Sequence, residues 1–468
     1  MELSGLSALE LARGVAAGEF SAVDVVEAHL ARIEEVNPVL NAVVVVLADA
    51  ARAEASALDA RIAAGEQVGP LAGVPLTVKE NIDMAGLATT WGVPALAGAV
   101  APIDAPVVER MRAAGAIPIG RTNLPDMALR AHTDSTLHGL TRNPWNPERT
   151  TGGSSGGEAA ALATGMSALG LGNDVGGSLR SPASNCGIAS IRPSAGRVPD
   201  AGFIPAEDPI FSMQLMNVQG PMARTVADVR AALTVLSGAH PRDPWSLDLP
   251  PAAPTPLPVR VAVVPEPPGG STDPVVANVV RSAAKLLADA GYQVEEVTPP
   301  DYEEAVVTWA QLLVGDLASV WPQMRPLIGP DGVAVLDTFL AASPPLDAAG
   351  MSGVFVTRHR IARAWSAFFA DYPLVLSPTW TQLPFEHGFD AATPEGTFAM
   401  VEMFRPVLPA NLLGLPSACV PGGLDETTGL PIGVLLTGAR YTDFLCLDAA
   451  EAVEARSPVR TPIDPVVA

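Results

Sequence analysis

The chain has 468 residues, 48% hydrophobic and 17% charged, with 28 basic against 50 acidic residues for a formal charge of −22. That is enough apolar material for a large core and excludes general disorder. An acidic surface repels nucleic-acid phosphates and anionic lipid, which argues against a nucleic-acid or membrane partner.

Three scattered cysteines, Cys186, Cys419 and Cys446, are too few for a disulfide framework or a zinc site and read as buried packing residues. The N-terminus lacks the basic and apolar regions of a signal peptide, and no run of about 20 apolar residues could span a bilayer. The expected setting is the cytoplasm.

In chain order, Ser7 with Glu10 and Ser21 with Asp24 form capping-box patterns that predict two helices before Asn37-Pro38. His29 in the second is expected at the surface or the edge of the core. A strand follows at 43–46, then an alanine-rich helix to about residue 64. Residues 76–79 read as a short strand with Leu76 and Val78 on one face and Thr77 and Lys79 on the other. Taken alone, Lys79 is a snorkelling edge lysine. A helix at 105–114 and a strand at 116–120 continue the alternation of a layered sheet. The turn-rich stretch 141–151 then places Gly152-Gly153-Ser154-Ser155-Gly156-Gly157-Glu158 on a loop, with a helix behind it at 159–168 and a buried strand at 168–171. A proline-rich connector at 240–258 reads as a loop crossing one extended domain. A strand–helix–strand unit follows at 259–264, 275–290 and 292–297. Residues 303–370 are helix-rich and carry Trp309, Trp321, Phe339 and Trp365. A strand at 374–378 precedes a long loop at 380–397, of the length often found in lids and binding segments. Val420-Pro421-Gly422-Gly423 reads as a hairpin turn and 429–436 as the strand after it.

Two glycine–serine clusters carry the chemistry. A phosphate-binding loop would end in Gly-Lys-Ser or Gly-Lys-Thr, whereas 152–158 ends in Gly-Gly-Glu. Gly152-Gly153-Ser154-Ser155-Gly156 satisfies G-x-S-x-G, but the preceding Asn143-Pro144-Trp145-Asn146-Pro147 is hostile to the strand that a nucleophile elbow needs. In the second cluster, Gly176-Gly177-Ser178 offers backbone N–H groups unobstructed by side chains, as an oxyanion hole requires. No histidine is placed by sequence to act as the base. A lysine can serve if burial keeps it neutral, with a second serine relaying the proton.

These clusters, with Cys186-Gly187 and Arg192-Pro193, resemble the amidase signature family. Residues 74–81 resemble its lysine strand, Gly120-Arg121-Thr122-Asn123 its G-[KR]-T-N element and Gly220-Pro221-Met222-Ala223-Arg224-Thr225-Val226 its G-P-[ML]-A-R-[ST]-V element. Residues 411–421 and 429–438 resemble its C-terminal strands, so the likeness covers nearly the whole chain. The resemblance implies an α/β fold: a large mixed β-sheet core covered by helices on both faces. It also implies a single amidase domain over 1–468, with a signature core at about 65–200 and a variable substrate-binding region at about 300–405.

Carried over by position, it makes Ser178 the nucleophile, Ser154 the relay after a cis Gly153–Ser154 bond, and Lys79 the base. Backbone N–H groups of Val175, Gly176, Gly177 and Ser178 would form the oxyanion hole, and Ser155, Asp174 and Arg180 would support the site. Met127 and Gly153 are expected at the substrate, with Leu129, the Trp309–Trp321 helices and the 380–397 loop as further pocket walls. No metal or organic cofactor is implied. The expected substrate is a small apolar or aryl amide, ester or carbamate, as in aryl-acylamidase or urethanase-like members, acted on by a monomer or homodimer. Two alternatives remain at this point. One is the amidase component of the tRNA-dependent amidotransferase that acts on glutamyl-tRNA(Gln), against which Ser181 stands where those sequences typically carry glutamine. The other is an inactive ligand-binding protein on the same fold. Asn173, Asn185 and Leu435 depart from the family's usual Ser/Thr, aromatic and glutamine.

Overall fold

A computed structural model describes residues 2–205, 208–250, 255–343 and 345–467. Its strands are β1 (Val43–Val46), β2 (Pro75–Lys79), β3 (Ile117–Thr122), β4 (Asp134–Ser135), β5 (Gly139–Leu140), β6 (Leu169–Asn173), β7 (Ala189–Arg192), β8 (Gln219–Ala223), β9 (Arg260–Val263), β10 (Gln293–Glu296), β11 (Leu374–Pro378), β12 (Ser417–Leu424) and β13 (Pro431–Gly438). Eleven form one mixed sheet in the order β1-β3-β2-β6-β8-β7-β12-β13-β11-β9-β10, while β4 and β5 pair apart. β2 runs parallel to both β3 and β6, and β11, β9 and β10 are mutually parallel. The strands between these two groups are antiparallel. The strands after the proline-rich connector thus extend the sheet begun before it.

Period-two alternation divides the core between the two faces. Leu76, Val78, Val261, Val263, Leu374, Leu376, Val434 and Leu436 face one cluster, closed by helices such as Ala22–Leu40, Pro274–Asp289 and Asp443–Glu454. Ala262, Val375, Cys419 and Leu435 face the other, under helices Gly156–Ala163, Arg180–Cys186, Tyr302–Met324 and Ala348–Asp371. Thr77 and Lys79, alternating with Leu76 and Val78, are buried and leave β2 on this second side. Among the described residues no helix is long and apolar enough to cross a membrane.

Both capping boxes form, but the second helix runs through Asn37-Pro38 to Leu40. Pro38 lies in the last turn on an exposed face, so the carbonyl it displaces can meet water. The Asn37 side chain accepts from the N–H groups of Ala42 and Val43, which closes the helix end. His29 is fully buried rather than at the core edge, its Nδ1 2.9 Å from the Val25 carbonyl. The helix expected at 159–168 starts three residues earlier, at Gly156, and ends at Ala163. β6 continues to Asn173.

The segment 380–397 is half helical, with Phe389–Ala392 and Pro394–Phe404 after a short loop. Thr393 caps the second helix through the Gly396 N–H, with Pro394 at its first turn, a start signal that is local to the sequence. The loop is pinned: the Phe385 carbonyl accepts from Thr150 N–H, and Trp380 stacks on Phe385 at 5.6 Å. The hairpin turn lies at 425–429, not 420–423, which belongs to β12. Proline is tolerated at 421 because β12 pairs with β7 only over 417–419 and its register on β13 slips between Pro421 and Gly423.

Candidate active site

Because β2 is flanked by β3 and β6, Lys79 emerges inside the molecule and not at an edge. It is fully buried, and its Nζ lies 2.7 Å from Ser154 Oγ and 2.6 Å from Asn173 Oδ1. Asn173 is held in turn by Asn81, whose Oδ1 accepts from Asn173 Nδ2 at 3.0 Å. Burial pushes the Lys79 amine from 10.5 down to about 7, against the opposing pull of Asp174 and Glu158.

Glu158 lies on the same side of the sheet. Its carboxyl accepts from Thr77 Oγ1 and, at 2.7 Å, from Thr122 Oγ1, spanning β2 and β3. Burial raises it from 4.5 to about 8 despite those bonds and the nearby Lys79, so it is mostly protonated at neutral pH.

Ser154 sits where the chain passes from a tight loop into the helix Gly156–Ala163, after a cis Gly153–Ser154 bond. The glycines here are required by close approach. A Cβ at Gly153 would lie 2.5 Å from the Arg130 carbonyl oxygen, and one at Gly157 2.5 Å from the Asn123 nitrogen. Gly152 has φ +78°, its N–H donates to Thr150 Oγ1, and its carbonyl accepts from Thr133 Oγ1. Gly153 is therefore buried against the main chain of 130–132. Ser155 is buried against Gly172 of β6, and its hydroxyl has no partner among the described residues.

Ser178 follows β6 in a segment organised by Asp174. That buried carboxylate accepts from the N–H groups of Gly177 (2.8 Å) and Leu179 (3.1 Å), from Arg180 through two nitrogens at 3.0 Å, and from Asn411 Nδ2 at 2.7 Å. Burial alone would raise its pKa; the charge and hydrogen bonds of Arg180, the charge of Arg192 and the Asn411 hydrogen bond instead hold it well below the usual carboxylate range. Arg192 Nη1 donates to the Asp174 carbonyl at 2.7 Å, and Arg180 also reaches the Val407 carbonyl and Asn411 Oδ1.

The N–H groups of Val175, Gly176 and Ser178 take no partner among the described residues, whereas that of Gly177 is occupied by Asp174. Trp309 closes over this segment. Its Nε1 donates to the Val175 carbonyl at 3.0 Å, and a Cβ at Gly176 would lie 2.6 Å from the indole ring. The helices after Ser154 and Ser178 pack on one another. Ser178 is 7% exposed, and the two hydroxyls are not hydrogen-bonded to each other.

Met127, with φ +51°, packs with Leu129 against Leu317, Trp321, Ile328 and Leu336. Leu317 and Trp321 belong to the helix that carries Trp309, which connects this apolar cluster to the Ser178 segment. The roles of Asn173, Glu158, Arg192 and Asn411 have no signature in the sequence. Asn173 is visible there as a departure from Ser/Thr, but no local pattern signals what it touches.

The site thus joins a fully buried lysine amine on the Ser154 hydroxyl with a second serine, Ser178, in a loop whose Val175, Gly176 and Ser178 N–H groups take no partner among the described residues. The family model described as Amidase matches residues 24–447. An indoleacetamide hydrolase of Bradyrhizobium diazoefficiens is 43% identical over 97% of this chain and 87% of its own length. The A component of a glutamyl-tRNA(Gln) amidotransferase from Acidothermus cellulolyticus is 34% identical over 97% of this chain and 95% of its own. The solved structure of a bacterial aryl acylamidase of the amidase signature family superposes with a TM-score of 0.84, at 29% identity and 97% coverage of each chain. The chain is a hydrolase acting on carbon–nitrogen bonds other than peptide bonds. It belongs to the amidase signature family.

Proposed function

We propose that this enzyme hydrolyses the amide bond of a small aromatic carboxamide through an acyl-enzyme on Ser178. The observation that carries the reading is the Lys79–Ser154 contact at 2.7 Å, made by a fully buried amine whose pKa lies near neutrality. Neutral Lys79 takes the Ser154 proton as Ser154 takes that of Ser178, and Ser178 Oγ attacks the carbonyl carbon. The oxyanion is met by the N–H groups of Val175, Gly176 and Ser178, while Gly177 serves by tying the loop to Asp174. The proton returns through Ser154 to the leaving nitrogen, and water then releases the acid. Asp174 and Arg180 keep the loop in shape, and Ser155 packs behind Ser154 against β6.

An aromatic acyl group is supported by Trp309, which lies over the Ser178 segment, and by the apolar cluster of Met127, Leu129, Leu317 and Trp321 joined to it through the same helix. The 43% identity with a protein named indoleacetamide hydrolase points the same way. The test is a panel of indoleacetamide, phenylacetamide, aryl anilides, aryl esters, aryl carbamates and glutamine, run with wild type and Ser178→Ala. Turnover of the aromatic amides that vanishes in Ser178→Ala is expected. Turnover that survives the substitution, or of glutamine alone, overturns the reading; the latter outcome would favour the amidotransferase component, whose relatives align over the whole chain.

A further inference from the structure

Asn173 stands where the family usually carries a serine or threonine, and it touches the proposed base directly. A lysine amine has no fixed geometry of its own: rotation about its last carbon–nitrogen bond leaves the lone pair free to point in several directions. As a neutral amine, Lys79 has two N–H bonds and one lone pair, and catalysis needs that lone pair on the Ser154 proton. An amide NH₂ facing Nζ would compete for that lone pair, so the carbonyl end of Asn173 faces it instead, at 2.6 Å. The other end is spoken for, since Asn173 Nδ2 donates to Asn81 Oδ1 at 3.0 Å. Asn81 and Asn173 are both largely buried, two residues beyond Lys79 and at the end of β6 respectively, so neither amide is free to swing into solvent.

We propose that the Asn81–Asn173 amide pair is a positioning device for Lys79: Asn173 Oδ1 accepts one Lys79 N–H and thereby turns the lone pair toward Ser154, and Asn81 fixes which end of Asn173 is presented. Asn173 is a positioning residue, since it acts through Lys79. The inference rests on the reading of Lys79 as the base. The titratable groups that face Lys79 are Asp174, an anion just beyond β6, and Glu158, from the helix Gly156–Ala163, whose carboxyl burial keeps mostly protonated at neutral pH. A carbonyl acceptor at 2.6 Å also favours the ammonium form. Its removal therefore moves the Lys79 pKa down, and its replacement by a carboxylate moves it up.

Lys79 and Lys285 are the two lysines of the chain, so lysine-selective ¹³Cε labelling reports the Lys79 titration directly and without turnover. Spectra of Lys79→Met assign the signal. The variants are Asn173→Leu, Asn173→Asp, Asn173→Thr and Asn81→Leu. Each is checked for a folded near-ultraviolet spectrum, so that Asn81→Leu carries the test if Asn173→Leu does not fold. In Asn173→Asp the Lys79 midpoint is expected to rise by about one unit or more, and the ascending limb of kcat against pH with it. In Asn173→Leu and Asn81→Leu the midpoint falls, and kcat drops about tenfold or more with KM nearly unchanged, as misorientation of a catalytic group predicts. Asn173→Thr, which restores an acceptor oxygen, recovers part of that loss. A Lys79 midpoint that stays put in both Asn173→Leu and Asn173→Asp overturns the positioning role while leaving the base intact. Wild-type turnover in Lys79→Met instead removes the base reading itself.

Discussion

At the residue scale the proposed mechanism depends on one amine whose pKa burial brings down to about 7. The Lys79 amine loses its proton near pH 7 in the folded chain and near 10.5 in the unfolded one. Between these values the unfolded state binds more protons, so this group makes stability rise with pH across that window. In the proposed mechanism the same neutral form is the reactive one. We expect kcat/KM for an aromatic amide to rise with pH through an apparent pKa near 7, belonging to the Lys79–Ser154 unit. Lys79→Met should lower kcat by about 100-fold or more and abolish that limb. A rate that falls between about pH 6 and 8 in wild type would contradict this assignment.

At the element scale the sheet and the helix Gly156–Ala163 are bolted together by Glu158. Its folded pKa is raised to about 8. Between 4.5 and 8 the folded state holds the extra proton, so this group costs stability progressively as pH rises through that window. Glu158→Gln keeps the shape and can still bond Thr77 and Thr122. Its melting temperature should therefore gain on wild type as the pH is taken from about 5 to about 8; a constant difference would show that Glu158 is not the titrating group. The glycines of the same helix test its seating. The alanine Cβ in Gly157→Ala would run into the Asn123 main chain, which cannot yield as a flexible side chain can. Urea denaturation is expected to show a loss of about 1–3 kcal/mol, with a fall in kcat because Ser154 precedes that helix. The same contact explains why the helix start is illegible in the sequence. Glycine disfavours helix by propensity, and the requirement for it here is set by residue 123.

At the scale of the whole molecule, the C-terminal half is tied to the site by a buried ion pair. Arg130, whose carbonyl abuts Gly153, donates through Nε (2.9 Å) and Nη2 (2.8 Å) to Asp390 in the short helix Phe389–Ala392. Both side chains are almost entirely inaccessible. Removing Asp390 leaves the buried Arg130 guanidinium only the more distant, exposed Asp331 carboxylate at 3.6 Å. Asp390→Ala is thus expected to cost about 3–5 kcal/mol in chemical denaturation, and the double change Arg130→Met with Asp390→Ala less than the sum of the two. Additive losses would mean that the pair does not couple the two halves. With this bridge and the Trp380–Phe385 stack in place, residues 380–388 form a pinned wall.

Local signals reach far in this chain. The capping boxes at Ser7 and Ser21, the alternation around Leu76 to Lys79 and the two glycine–serine clusters depend on neighbours within a few positions, so the sequence by itself determined most elements and the type of chemistry. The ends of elements are less legible, as at Pro38 and Pro421, because solvent exposure and a register slip decide whether a proline is tolerated. What only the tertiary structure decided was the state of each group. Lys79 is a candidate base because β3 and β6 enclose β2. The Gly177 N–H is taken by the Asp174 carboxylate, while those of Val175, Gly176 and Ser178 have no partner among the described residues. The acceptor on Lys79 comes from Asn173, 94 residues away, and a clamp on Asp174 from Asn411, 237 residues away. Burial and hydrogen-bond partnership at such separations are properties of the packed sheet, and no periodicity along the chain encodes them.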